Sequence, residues 1–251
     1  MINTFETELL SQGYGSRSVI ADLTMRGKGP GVLALLGPNG AGKSTLIKTI
    51  ATVMPHRSGV LKLFGREIRR DADARWARRH IGYLPQDFGF YPSFSVYEFV
   101  RYCAWLRCVP AHRVHGDVLA ALESVQLGGH LKTKMKELSG GMLRRAGIAQ
   151  ALVGDVRLVV LDEPTVGLDP EQRLEFRRLI RSVAQSATVL LSTHLVEDVS
   201  VLSDRLWVFE AGRAVFEGTS ELLIASAEES AAGDSPLEKG YTSVLRTSVR
   251  A

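Results

Sequence analysis

Much of what would place this chain in other classes is missing from it. Its 251 residues include only two cysteines, Cys103 and Cys108. That is too few for a disulfide framework, and neither has the paired spacing of a zinc site, so both read as packing residues. No apolar stretch approaches the ~18 residues needed to cross a bilayer. The start, Met-Ile-Asn-Thr-Phe-Glu, lacks the basic residues and apolar centre of a secretory signal. The expectation is a cytoplasmic protein that reaches a membrane only through a partner. No internal repeat is present. Neither sign of charge dominates, the net being +4, so composition singles out neither nucleic acid nor anionic lipid as a partner. The densest basic run, Arg66 to His80, is interleaved with Glu67, Asp71 and Asp73 and reads as a solvated helix face. What is present is ordinary: 45% hydrophobic and 23% charged residues, enough for one large α/β domain.

Aromatics are also few, and half of them are concentrated. Nine of eighteen lie between Tyr83 and Trp105. Before that region the chain reads as short strands: Phe5 to Leu10, Val19 to Met25, Val32 to Leu36, Val60 to Phe64, and Ile81 to Leu84. From Ser95 the period turns helical, with Val96, Phe99, Val100, Cys103, Leu106 and Arg107 in phase up to Pro110. A second helix is expected from Val114 to Val125 and a third from Met142 to Val153. The third turns Leu143, Ala146, Ala149, Gln150 and Val153 to one face and Arg144 and Arg145 outward. Leu158 to Leu161 and Thr188 to Leu191 read as strands buried on both faces, separated by an amphipathic helix from Gln172 to Ala184. Leu206 to Phe209 and Ala214 to Phe216 form a hairpin. This alternation predicts an α/β fold with a mostly parallel sheet covered by helices.

The chemistry begins at Gly37-Pro38-Asn39-Gly40-Ala41-Gly42-Lys43-Ser44-Thr45. It follows an apolar strand and opens a helix, the context that the phosphate-binding loop G-x-x-x-x-G-K-[ST] requires. Glycines let the backbone approach an anion, and the loop N–H groups and helix N-terminus point at phosphate. Lys43 can reach the β and γ phosphates, and the Ser44 hydroxyl can ligate Mg²⁺. The chain is expected to bind a nucleoside triphosphate. Asp162 and Glu163 end a buried strand, where α/β sheets bind ligands. Asp162 is suited to hold Mg²⁺ through its water shell, and Glu163 to orient and deprotonate an attacking water.

Taken with these, further motifs give a resemblance. Leu158 to Glu163 is similar to a Walker B strand with its catalytic Glu. Leu138-Ser139-Gly140-Gly141-Met142 resembles the signature loop of ATP-binding cassette (ABC) ATPases, Gln86 their Q-loop, Gly167-Leu168-Asp169 their D-loop, and Ser192-Thr193-His194 their switch histidine. The likeness spans about residues 3 to 224. The form of the Tyr83 to Tyr97 run and of Ser-Gly-Gly-Met looks most like subunits of multidrug, antibiotic or other small-molecule exporters.

The resemblance implies a P-loop NTPase core with an N-terminal antiparallel β subdomain and a helical subdomain inserted at about 88–153. The cassette would occupy 1–224, with 225–251 a linker and short tail in which Leu237 to Leu245 form a helix. ATP and Mg²⁺ would be the cofactors. Gln86 would contact metal and water, and Asp169 would stand near nucleotide. Ser139, Gly140 and Gly141 would serve ATP held by a second cassette, in a homodimer. A transmembrane permease would be the other partner, with the ATPase peripheral on the inner face of the cell membrane and no nucleic acid involved. His194 can donate to γ-phosphate, and Tyr14 can stack on adenine. Phe88, Phe90 and Tyr91 are the expected docking surface, while Val96, Phe99 and Cys103 are expected in the core. The family's signature usually ends in Gln where Met142 stands, and Met makes no strong hydrogen bond. A soluble cassette of cofactor assembly or nucleic-acid maintenance, and an importer engine, are the alternative readings.

Overall fold

The structure, a computed structural model, describes residues 3–228 and 231–250, without the side chains of 249 and 250. The first region forms two 12-residue strands, not several short ones: β1 (Asn3–Tyr14) and β2 (Arg17–Lys28), paired antiparallel. Bulges explain why the sequence reads as broken. Register shifts fall between Thr7 and Leu10 and between Leu10 and Gln12, and Leu9 and Asp22 take φ of 46° and 50°. Each extra residue inverts the in-and-out order along the strand. Next come β3 (Gly31–Leu36) and α1 (Lys43–Ile50). β4 (Ser58–Leu63) then pairs with β1, and the short β5 (Arg66–Glu67) edges it, completing an antiparallel sheet in the order β2-β1-β4-β5.

α2 (Asp71–Arg78) leads into β6 (Ile81–Leu84). α3 (Val96–Leu106) starts at Ser95, whose Oγ accepts from Glu98 N while the Glu98 carboxylate accepts from Ser95 N. This reciprocal cap satisfies two orphan donors. α4 (Ala111–Ser124) and α5 (Gly140–Leu152) complete the helical insertion. The chain continues through β7 (Leu158–Asp162), α6 (Pro170–Val183), β8 (Thr188–Thr193), α7 (Val196–Leu202), β9 (Arg205–Glu210) and β10 (Arg213–Gly218). The second sheet runs β10-β9-β3-β8-β7-β6, with only the β9–β10 pair antiparallel.

Its central strands divide two cores. Val32, Ala34 and Leu36 face the helical side, with Val159, Leu161, Val189 and Leu191. Leu33, Leu35, Leu158, Val160 and Leu190 face α1 and the antiparallel sheet. Both faces being apolar explains the continuous hydrophobic runs, each buried side chain contributing about 1.5–3 kcal/mol. α5 sits unusually close to β6. A Cβ on Gly82 would lie 1.8 Å from the Ala151 carbonyl oxygen, and one on Gly147 would lie 2.6 Å from the Phe88 ring.

α8 (Ser220–Ala225) and α9 (Pro236–Arg250) close the chain. The helix expected at Leu237 to Leu245 is longer, and it packs on α7, α8, β9 and β10, with Leu237 and Ser243 buried. Residues 229 and 230 of the expected linker lie outside the described residues. Cys103 is half-buried and Cys108 exposed, both as free thiols. Burial pushes the Cys103 thiol up to about 11.

Candidate active site

The site forms where β3, β7 and β8 end side by side. Gly40 and Gly42 take φ of 83° and 103°, conformations that strain any residue with a Cβ. Gly42 occupies the N-cap position of α1 and no side chain caps that helix, leaving its first N–H groups facing outward for an anion. Gly37, Ala41 and Thr45 are buried, while Pro38, Asn39 and Gly40 form the exposed rim. Tyr14, at the end of β1, is half-exposed, and its hydroxyl lies 3.4 Å from Thr45 Oγ1. That places an aromatic side chain beside the loop.

Lys43 is nearly enclosed. Its Nζ donates to the carbonyls of Gly37 (2.6 Å) and Pro38 (3.0 Å) and lies 3.7 Å from Glu163 Oε1. Burial pushes its pKa below the ordinary lysine value, opposed by the charges of Glu163 and Asp162. Ser44 Oγ donates to Asp162 Oδ1 at 2.9 Å, so the loop and the end of β7 meet directly. Ser192 Oγ donates to the same oxygen at 2.7 Å and accepts from Glu163 N at 3.0 Å. Sequence reasoning assigned Ser192 no role. The available signal was a hydroxyl ending an apolar strand, and the register Asp162↔Ser192 makes it count.

Glu163 itself has φ 50°, a left-handed conformation that costs a non-glycine residue about 1–3 kcal/mol. Bonds on both sides hold it there. Its N–H goes to Ser192, and its carbonyl accepts from Arg144 Nη2 at 2.8 Å. Its carboxylate pairs with His194 Nδ1 at 2.6 Å. Glu163 and His194 are thus brought together, with Lys43 on the other carboxylate oxygen.

Other expected site residues stand apart from this group. Gln86 is exposed in the loop after β6, its carbonyl accepting from Arg144 Nη1 at 2.9 Å. Ser139 caps α5, its Oγ accepting from Met142 N, and Gly140 and Gly141 open that helix. Asp169 caps α6 through Gln172 N. Two expectations need correction. Arg144 and Arg145 do not point into solvent. Arg144 reaches back under the turn that carries Glu163, and Arg145 bonds Glu175 of α6 and Gln126, because α5 is buried on more than one side and has no free face there. Phe88 and Phe90 are half-buried against the core and Phe88 packs on Phe99. Tyr91, Trp105 and Leu106 are the exposed large apolar residues of this region.

A Mg²⁺ ion suits the oxygen set. Ser44 Oγ and Asp162 Oδ1 are adjacent hard donors beside the phosphate loop, and Mg²⁺ typically takes one or two protein oxygens with water and phosphate. No group of three or more His, Cys, Asp or Glu that could hold a metal occurs among the described residues, which is compatible with such sparse ligation.

The sequence model described as ABC transporter matches residues 20–166. The chain belongs to the ABC transporter family. It is similar to the Nod factor export ATP-binding protein I of Rhizobium etli, 37% identical over 86% of this chain and 68% of that protein. It is likewise similar to the protein of that name from Burkholderia orbicola, 39% identical over 85% of this chain and 70% of that one. Among solved structures it resembles cbiO1 from Clostridium perfringens, described as part of the ABC transporter complex cbiONQ. The TM-score is 0.80, with 27% identity over 90% of this chain and 92% of that one. As an ABC transporter ATPase, the chain binds ATP and hydrolyses it.

Proposed function

We propose that this ABC ATPase drives export of a small molecule through a separate membrane-spanning permease, working as one of two identical cassettes. Among the described residues no helix is long and apolar enough to cross a membrane, so the translocation path belongs to a partner, and the cassette sits on the inner membrane face. The observation that carries the reading is the continuity between Gln86 and an exposed aromatic shelf. Directly after the Q-loop lies a groove of about 270 Å³ lined by Tyr83, Phe88, Tyr91, Tyr102 and Leu106. Tyr91 packs at a tilt against Phe94 with ring centroids 4.8 Å apart, a preformed apolar surface for a segment of the permease. The export direction follows the relatives named for Nod factor export.

In the proposed mechanism the loop from Gly37 to Thr45 holds the phosphates, and Tyr14 stacks on adenine. Ser44 and Asp162 would hold Mg²⁺, which would supply neutralisation of phosphate charge. Glu163 takes the proton of the attacking water, while His194 aligns that carboxylate and donates toward the γ-phosphate. Ser139, Gly140 and Gly141 present a capped helix N-terminus to ATP in the opposite cassette.

Co-expression with a co-encoded permease and purification from membranes tests the assembly. The wild type is expected to be recovered with a polytopic subunit, and Tyr91→Ser with Trp105→Ser to lose recovery while keeping ATP binding. Equal recovery would remove the docking assignment. ATP-driven accumulation of cargo inside inverted vesicles is the expected sign of export, and its absence with loss from preloaded inverted vesicles indicates import.

A further inference from the structure

The least expected polar contact is made by Arg144. Its guanidinium donates to four backbone carbonyls: Nε to Pro164 (3.0 Å), Nη1 to Gln86 (2.9 Å), and Nη2 to Glu163 (2.8 Å) and Asp162 (3.4 Å). Three of these oxygens belong to the turn that carries the strained Glu163, and the fourth to the Q-loop. A planar fork is the side chain that can reach them together, and a lysine ammonium cannot. The same helix is capped by Ser139, and its body is seated on β6, where Gly82 permits contact with the Ala151 backbone, Gly147 leaves room for the Phe88 ring, and Gln150 Nε2 donates to the Tyr83 carbonyl at 2.8 Å.

We propose that Arg144 is a positioning residue that locks Glu163 and Gln86 onto α5, so that seating of ATP on Ser139 at one site adjusts the hydrolytic geometry of the other. The locking does not require a second cassette. The transmission does, and so rests on the two-cassette reading above. Because the Arg144 bonds go to backbone carbonyls of the turn and of the Gln86 loop, not to the phosphate-loop residues, its loss should act on turnover and spare binding.

The full-length chain is assayed for steady-state ATPase, ATP affinity by calorimetry, and thermal stability. Arg144→Lys and Arg144→Ala are expected to lower kcat by about 10-fold and about 100-fold, the scale of a 1 Å misplacement. ATP affinity should stay within about twofold. Millimolar methylguanidinium should restore part of the Arg144→Ala rate and none of a Glu163→Gln rate. Arg144→Ala at near wild-type kcat, or a fall in affinity and melting temperature matching the fall in rate, overturns the positioning role. For transmission, Ser139→Ala should cost less in the Arg144→Lys background than in wild type, by about fivefold, since coupled sites are non-additive. Additive losses overturn it. Failure of Glu163→Gln to dimerise with ATP refutes the two-cassette reading separately, leaving the kcat result to judge the clamp.

Discussion

Nδ1 of His194 lies 2.6 Å from Oε2 of Glu163, while the other oxygen of that carboxylate faces Lys43 Nζ at 3.7 Å. One carboxylate is thus held between Lys43 and the histidine that follows β8. A water at this carboxylate would have its proton acceptor already oriented. Glu163→Gln keeps the shape and removes the proposed base, so kcat should fall by about 100-fold or more with ATP binding retained. Stopped-time phosphate release together with equilibrium binding checks this, and wild-type turnover would falsify the assignment.

Ser192 is the hinge of the arrangement, bonded to Asp162 Oδ1 and to the N–H of the strained Glu163. Ser192→Ala leaves that buried N–H without its acceptor and should cost about 1–3 kcal/mol of stability. Ser192→Thr retains the hydroxyl and should recover most of it. Urea denaturation of the three proteins measures the difference, and equal midpoints for serine and alanine contradict the role.

Ser44 and Asp162 are proposed to share the Mg²⁺ site. EDTA should abolish hydrolysis, and Ser44→Ala should raise the Mg²⁺ concentration for half-maximal ATPase by about tenfold, roughly 1.4 kcal/mol of lost ligation. A magnesium titration with an unchanged midpoint would remove Ser44 from the metal site.

The two thiols differ in access. Burial raises the Cys103 thiol to about 11, so at pH 8 it is almost wholly protonated, and the thiolate is the reactive form. Cys108 is exposed. Ellman's reagent should modify one thiol per native chain promptly and both in urea. Peptide mapping that finds Cys103 labelled first would contradict the packing described for α3.

Gly82 meets the backbone of α5 with no room for a methyl group. Gly82→Ala should force β6 and α5 apart, costing about 1–3 kcal/mol, and should lower kcat because the Q-loop and Arg144 move with them. Calorimetric melting and ATPase assay test both effects. An unchanged melting temperature would show that the helix yields without cost.

Local pattern carried most of the fold. The phosphate loop, the doubly buried strands and the helical phase after Ser95 are each written in neighbouring residues, because backbone conformation and burial periodicity are local properties. The last helix was expected only from Leu237 to Leu245 and runs Pro236–Arg250; its start is a capping box in which Ser235 and Glu238 exchange bonds. The bulges of β1 and β2 were not, since a bulge inverts the alternation from which strands are read.

The sequence by itself determined which groups are available: a glycine loop with Lys43 and Ser44, a strand ending in Asp162 and Glu163, and a histidine after the next strand. Tertiary structure alone decided how they meet. Parallel pairing of β7 with β8 sets Ser192 against Asp162, and the burial of α5 turns Arg144 inward to four carbonyls far away in the chain. Such contacts depend on strand register and on which sides of a helix are covered. Both are settled by packing between distant segments, where no local pattern reaches.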